Sequence, residues 1–193
     1  MRNLPLIYDS DDFLLSNGGF IYGTGRAFGI EAMLQYQTER LSLTASYTYT
    51  DSRRRSDGVT YPFEYDVPHD FNAFVSYDVV KRPGRKHTFS LNVAWRSGLP
   101  YRLTNESYPD TDGNPIIGIT AYPTMRMHNY FRADVSYNME RRKRNGVRNW
   151  QFSIINATWH KNPVSIYPYR GSYKATVLIP IMPSVSYTRT FGK

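Results

Sequence analysis

The chain has 193 residues, enough for one domain or for part of a larger protein. It contains no cysteine, which excludes disulfide bonds, thiolate metal sites and a cysteine nucleophile. Its net charge is +8, yet 17 tyrosines and 10 phenylalanines make it too aromatic for a disordered segment. No apolar run approaches the ~18 residues of a transmembrane helix, so a soluble β-rich domain and a membrane β-barrel remain.

The amino-terminal residues do not have the pattern of a signal peptide. Met1–Pro5 lacks an apolar stretch, and Asp9, Asp11 and Asp12 follow soon after. We therefore expect either a cytoplasmic protein or the downstream part of an exported one.

A two-residue period dominates the sequence. In the segment 41–50, Leu and Tyr side chains alternate with Ser and Thr side chains. Because side chains point to opposite faces along a strand, this segment predicts a strand with one apolar and one polar face. The long strands predicted in this way cover residues 28–36, 41–50, 71–79, 89–96, 131–140, 150–154 and 184–191.

The connections between these strands alternate in length. Residues 37–40, 81–86 and 141–148 form short turns, whereas 52–68, 97–128 and 160–180 form long loops. Short turns at one rim and long loops at the other are the layout of an outer-membrane barrel. Aromatic residues lie near both ends of the predicted apolar faces, which is typical of the two interfacial girdles of such a barrel.

Charged side chains fall on the opposite face of the predicted strands. Arg96, Arg132, Asp134 and Glu140 are the candidates for lining a hydrated lumen, where they could contact a substrate. The predicted fold is an all-β, antiparallel up-and-down meander of seven or eight strands, part of an incomplete transmembrane barrel. An eighth strand is expected at 116–122 if the count is even.

No motif predicts a catalytic residue, a metal site or a cofactor, so we expect no enzyme. Asp66, His69 and Asp70 could bind a metal ion, but a loop junction whose carboxylates accept backbone N–H groups is favoured. The segment 110–114 has only a faint similarity to a calcium loop, and the glycines at 18–25 open no helix. Tyrosines in the long loops could stack on ligands or pack together: Tyr101, Tyr108, Tyr122, Tyr167, Tyr169 and Tyr173.

Three basic clusters, at 53–55, 81–86 and 141–144, could contact phosphates or lie in solvated turns. Basic and aromatic residues together also occur in nucleic-acid-binding domains. Here the basic residues fall in turns and the aromatic residues on strands, so nucleic acid is not expected as a partner. At the long-loop rim, Arg53–Arg55 would lie near lipopolysaccharide phosphates.

Several segments together resemble the carboxy-terminal region of TonB-dependent outer-membrane receptors of the Bacteroidetes type. In chain order they are Gly25–Glu31, Leu43–Tyr49, Tyr61–Asp70, Trp95–Pro100, Tyr130–Ser136, Asn162-Pro163 and Ile181–Tyr187.

The resemblance implies that residues 1–193 form about the last third of a barrel of roughly 22 strands, without the plug domain or TonB box. It implies uptake of a scarce nutrient, such as a siderophore or glycan, across the bacterial outer membrane. The implied partners are outer-membrane lipid and lipopolysaccharide, the rest of the barrel and plug, and the TonB complex through the missing amino-terminal part. Such proteins usually end on an aromatic residue, whereas here Gly192-Lys193 follow Phe191.

Two other hypotheses remain open at the level of sequence. A small self-contained outer-membrane barrel or adhesin would require an even strand count. A basic nucleic-acid-binding β domain would be soluble without detergent and would bind RNA in a salt-dependent way.

Overall fold

The computed structural model describes residues 4–6, 21–56, 58–102, 104–109, 115–119, 122–123, 125–169 and 172–191. All regular structure in these ranges is β-strand. No helix in the described ranges has the length and hydropathy needed to cross a membrane. The strands are β1 (Leu4–Leu6), β2 (Ile21–Gln37), β3 (Leu41–Ser56), β4 (Val59–Pro62), β5 (His69–Arg82), β6 (Arg85–Arg96), β7 (Pro100–Tyr101), β8 (Thr104–Pro109), β9 (Pro115–Ile119), β10 (Met125–Arg126), β11 (Tyr130–Lys143), β12 (Gly146–Ile155), β13 (Pro163–Tyr169), β14 (Ser172–Val177) and β15 (Met182–Phe191).

The main sheet is an antiparallel meander, as the alternation predicts. Its strand order is β1-β2-β3-β5-β6-β11-β12-β15, and β4 pairs with the end of β3. All seven predicted long strands are present, and all are longer than predicted. For example, β2 has 17 residues and β5 has 14. The strand order begins with β1 and ends with β15, and these two strands do not pair with each other. The sheet of described strands is therefore open rather than closed into a barrel.

Short turns join the long strands where the sequence predicts them. Between β5 and β6 only Pro83-Gly84 remain, and Gly84 has a φ of 72°. Proline presets the first turn position, and glycine accepts a positive φ without steric cost. The turn between β11 and β12 is also two residues long, Arg144-Asn145.

The long connections contain more regular structure than the sequence analysis expects. They carry β4 and three separate two-stranded pairings, β7 with β10, β8 with β9, and β13 with β14. The prediction of an eighth meander strand at 116–122 is wrong. Residues 115–119 pair with β8 outside the main sheet, and the eighth strand of the order is β1. Alternation alone does not reveal a strand's partner, which is why the assignment failed.

The chain divides into two compact units. Unit 1 comprises residues 1–30, 49–68 and 98–127, and unit 2 comprises residues 31–48, 69–97 and 128–193. Unit 2 contains the complete strands β5, β6, β11, β12 and β15. Unit 1 contains β4 and the short strands β7–β10.

Candidate functional site

The five long strands of unit 2 align their apolar residues into continuous rows. The central row crosses all five strands, and neighbouring rows run parallel to it. We call the surface formed by these rows the apolar face. Its longest rows are Val75–Leu91–Val135–Ile154–Pro183 and Tyr77–Phe89–Tyr137–Phe152–Val185. In-register rows on five strands place these apolar residues on one side of the sheet, whereas Phe74 of β5 lies opposite Asn92 on the other side.

The opposite side of the same strands is polar, and we call it the polar face. One row of this face consists of a serine from every strand: Ser76, Ser90, Ser136, Ser153 and Ser184. The next row is Asp78–Thr88–Asn138–Gln151–Ser186. Small hydroxyls and amides can hydrogen-bond to water, so this face is suited to a hydrated surface and not to a packed apolar interior.

Among the described residues, more polar than hydrophobic side chains are buried, the reverse of a typical water-soluble domain. Among the described residues, the buried hydrophobic side chains are Tyr61 and Ala133 alone. The buried polar residues outnumber them: Ser56, Asp66, Asp78, His87, Asn156 and Asn162.

Side chains on the apolar face are instead open, as for Phe89 (44% exposed) and Val185 (63%). Soluble monomers rarely leave a large contiguous apolar patch uncovered, and such patches mark contacts with a membrane, another protein or a ligand. A shallow cavity of about 370 Å³ on it is lined by Phe89, Val135, Phe152 and Ile154, among others.

Aromatic residues mark both ends of the apolar face. One end row is Phe71–Trp95–Phe131, and the other contains Trp150, whose ring centroid lies 4.6 Å from that of Tyr187. On β11 these rows are separated by the eight positions from Phe131 to Met139. At ~3.4 Å per residue and a tilt of ~40°, the separation is about 21 Å, close to the ~25 Å apolar band of outer-membrane barrels.

The four predicted lumen residues lie on the polar face of unit 2. Arg96 is opposite Tyr130, and its guanidinium carbon lies 4.7 Å from the centroid of that ring. Arg132 and Asp134 form an ion pair (Nε–Oδ2, 3.1 Å). Glu140 is six residues farther along β11 and lies 3.8 Å from Arg142. The structure therefore brings Arg96, Arg132 and Asp134 toward one end of the strands and leaves Glu140 toward the other.

Asp134 has a structural role that the sequence analysis does not foresee. Its Oδ1 accepts the backbone N–H of Asn156 at 2.9 Å, and the Nδ2 of Asn92 donates to its Oδ2 at 3.4 Å. Asn156 has a φ of 53°, a conformation that asparagine tolerates better than most residues. The carboxylate thus fixes the chain after β12 and is already occupied within the protein.

Asn162 extends the hydrogen bonding of β11 with its side chain. Its Oδ1 accepts from the backbone N–H of Phe131, and its Nδ2 donates to the carbonyl of the same residue, both at 2.9 Å. Phe131 lies beyond the end of β12, so without Asn162 these groups would lack a strand partner. The asparagine is only 2% exposed. The Asn162-Pro163 dipeptide at the start of β13 is the sole sequence signal of this arrangement.

In unit 1 an ion pair joins a buried carboxylate to an arginine 60 positions away in the chain. Asp66 is 3% exposed, accepts the N–H of Ser52 at 2.8 Å, and pairs with Nη2 of Arg126. Nη1 of Arg126 donates to the carbonyl oxygens of Asp66 and Gly98, at 3.0 and 3.2 Å. This cluster, the Asp66–Arg126 clamp, ties β3, β10 and the segment before β7 together. The expected role of Asp66 as an acceptor for backbone N–H groups is confirmed.

Two further sets of polar contacts lie near the β5–β6 turn in unit 2, one on each face of the sheet. His87 is 7% exposed; its Nδ1 lies 2.6 Å from the hydroxyl of Tyr137, and its Nε2 accepts from Nε of Arg85 at 2.9 Å. Asp78 accepts from Thr88 at 2.8 Å and pairs with Lys86 at 3.2 Å. Since each of these polar groups has a protein partner, both sets of contacts stabilise the turn end of the strands.

The other predicted site residues have their own partners. His69 Nδ1 lies 2.7 Å from the hydroxyl of Tyr47, and Asp70 accepts from Asn72. The part of the chain that the structure describes contains no group of three His, Asp or Glu side chains arranged to hold a metal. The 110–114 segment lies outside the described residues. The rings of Tyr61 and Tyr122 pack at 4.4 Å, one case in which a loop tyrosine packs on another aromatic ring.

The basic cluster 53–55 lies at the end of β3, beyond the apolar stretch of that strand. Asp51 accepts from Nε of Arg53 at 2.7 Å, and this hydrogen bond together with the carboxylate charge raises the pKa of Arg53. Arg54 stacks on Phe63, with its guanidinium carbon 4.2 Å from the ring centroid.

Comparisons with protein-family models, curated proteins and solved structures find no match to this chain.

Proposed function

We propose that this chain is a wall-and-loop segment of a TonB-dependent receptor in the bacterial outer membrane. The whole receptor would import a scarce nutrient such as a siderophore or glycan, and no covalent bond would be made or broken. In this proposal the apolar face contacts lipid, and the polar face contacts the hydrated interior or plug of the barrel. The proposed partners are outer-membrane lipid and lipopolysaccharide, the remaining barrel and plug, and the TonB complex.

The observation that carries the membrane assignment is the exposure of the apolar face. Its rows cross five strands, and the described residues place no second layer against them. A soluble sandwich would bury such rows against another sheet about 10 Å away. In a bilayer, lipid covers them, while strand pairing satisfies the backbone hydrogen bonds.

The more specific assignment to a receptor depends on the ordered resemblance of the segments. The open strand order supports a segment of a larger barrel over a self-contained one, because β1 and β15 do not pair with each other in the described sheet. An unpaired strand edge inside a membrane is costly, so further strands are expected beside both. Asp134 and Asn162 support the wall role, since both hold the strand ends and loops in place.

Membrane fractionation of native cells tests the first part of the proposal. We expect the protein in the outer-membrane fraction, resistant to alkaline carbonate and released by detergent. Recovery in the soluble fraction would contradict it and would favour a soluble β domain, which an RNA-binding titration at varied salt would then examine.

Mass spectrometry of the same outer-membrane polypeptide tests the receptor assignment. Peptides of a plug and a TonB box on that polypeptide would support it, and a tonB deletion should then abolish uptake of the transported compound. An outer-membrane polypeptide without a plug would instead support the small barrel or adhesin.

A further inference from the structure

A cleft of about 530 Å³ lies among β2, β3 and β4 in unit 1. Its lining includes Arg26 of β2, Arg53–Arg55 of β3, and the threonines Thr24 and Thr60. Thr60 pairs directly with Arg55 across the β3–β4 ladder. On one side of the strands the cleft therefore combines the guanidinium groups of Arg26, Arg53 and Arg55 with two hydroxyl donors, whereas Arg54 lies on the other side and stacks on Phe63.

On β2 and β3 the cleft directly follows apolar residues of the same strand sides within unit 1. On β2 the alternating row runs from Ile30 through Phe28 to Arg26, and Phe28 is 61% exposed. On β3 the corresponding row runs from Tyr49 through Asp51 to Arg53 and Arg55. The contact of Arg26 Nη2 with Asp51 Oδ2 at 3.5 Å shows that the two rows meet on the same side. Apolar surface therefore gives way to cationic surface within two residues on β2.

Positive charge in the cleft exceeds the negative charge of its described neighbours. Asp51 contacts both Arg26 and Arg53, so the three guanidinium groups on this side share one carboxylate among the described residues. The buried carboxylate of Asp66 is already paired with Arg126. Arg26 and Arg53 are 74% and 52% exposed at their side chains, so both can reach a ligand.

Arginine is the residue best suited to phosphate, because its planar guanidinium can donate two parallel hydrogen bonds to the phosphate oxygens. Gathering like charges in one cleft costs repulsion that a multiply charged anion relieves. The location next to apolar surface favours an anion that is attached to lipid over a free ion.

We propose that this cleft binds the phosphate groups of an anionic glycolipid in the outer leaflet of the outer membrane. Arg26, Arg53 and Arg55 bind the phosphate oxygens, and the hydroxyls of Thr24 and Thr60 are further donors. The inference rests on the proposed function, because it requires the apolar residues beside the cleft to contact lipid.

Lipid binding by the protein in detergent tests the inference. Diphosphorylated lipid A and its dephosphorylated form are titrated separately against the wild type and the double variant Arg53→Gln/Arg55→Gln. Each lost charge-assisted hydrogen bond should weaken binding about tenfold. We expect the double variant to bind diphosphorylated lipid A about 100-fold more weakly than the wild type does. We expect the wild type to bind dephosphorylated lipid A with the same reduced affinity.

The matched control removes two arginines from the other basic cavity, which is lined by Lys143, Arg144, Arg148 and Arg189. Arg144→Gln/Arg148→Gln lowers the net charge equally and should change lipid A binding less than threefold. Equal losses in both double variants would overturn the inference, as would equal affinity of the wild type for both lipids. Competition by inorganic phosphate at equimolar concentration would overturn the lipid assignment.

The design separates this inference from the proposed function. Outer-membrane location without phosphate-dependent lipid binding would contradict the proposed lipid binding at the cleft but not the proposed function. A soluble protein whose arginines bind inorganic phosphate would contradict the membrane function and the lipid ligand together.

Discussion

The apolar face of unit 2 and the Asp66–Arg126 clamp of unit 1 are stabilised in opposite ways. The apolar face exposes valine and aromatic side chains over a continuous backbone ladder. The clamp buries a carboxylate and surrounds it with donors from residues 52 and 126. The strands therefore leave many apolar side chains uncovered by other described residues, whereas the loop-end segment is held by specific polar contacts. Substitutions in the strands and substitutions in the clamp should therefore have different effects on stability.

The largest effect is expected for a charge in the central row of the apolar face. Val135→Arg places a guanidinium between Leu91 and Ile154. If the face contacts lipid, the free energy of unfolding in vesicles should fall by about 2–4 kcal/mol, the cost of arginine at mid-bilayer. Urea titration in lipid vesicles measures it.

Ser136→Arg is the matched control, since the adjacent residue lies in the serine row of the polar face. Its cost should be below about 1 kcal/mol if that face is hydrated. Equal costs for both variants would contradict the assignment of the two faces.

A smaller effect is expected when Asn162 is replaced by leucine. Asn162→Leu keeps a similar size but leaves the buried N–H and carbonyl of Phe131 without their partners. The loss should be about 1–3 kcal/mol, with faster hydrogen exchange at Phe131. If exchange at Phe131 stays as slow as at Val135, the asparagine does not extend the strand.

A substitution in the clamp should change local hydrogen exchange rather than the global free energy of unfolding. Asp66→Asn keeps an acceptor for the N–H of Ser52 but removes the charge opposite Arg126. Exchange protection of the Met127 N–H, which bonds to the carbonyl of Leu99, should fall by about tenfold. Asp51→Asn, whose arginine partners are largely exposed, is the control and should leave Met127 unchanged.

The smallest effect is expected for the exposed ion pair at the turn end of β11. Arg142 is 73% exposed and lies 3.8 Å from Glu140. Arg142→Ala should change the free energy of unfolding by no more than about 0.5 kcal/mol. A change above 1 kcal/mol would mean that the polar face is drier than its serine and amide rows indicate.

The long strands could be predicted because alternation is a local property, readable within a ten-residue segment such as 41–50. The four lumen candidates were also placed on one face correctly by this period. The contacts of Asp66 with Arg126 and of Asn162 with Phe131 could not be predicted, since each joins residues 31 or more positions apart. The eighth strand was misassigned for the same reason: periodicity shows that residues 115–119 are extended but not that β8 is their partner.

Spin-label accessibility along β6 tests the central claim most directly. The chain has no cysteine, so single cysteines can be introduced and labelled one at a time from residue 89 to residue 94. In vesicles, labels at 89, 91 and 93 should collide mainly with oxygen dissolved in lipid. Labels at 90, 92 and 94 should collide mainly with a water-soluble nickel complex. Low collision with both reagents at the odd positions would mean that another protein layer covers the apolar face, and would contradict the account.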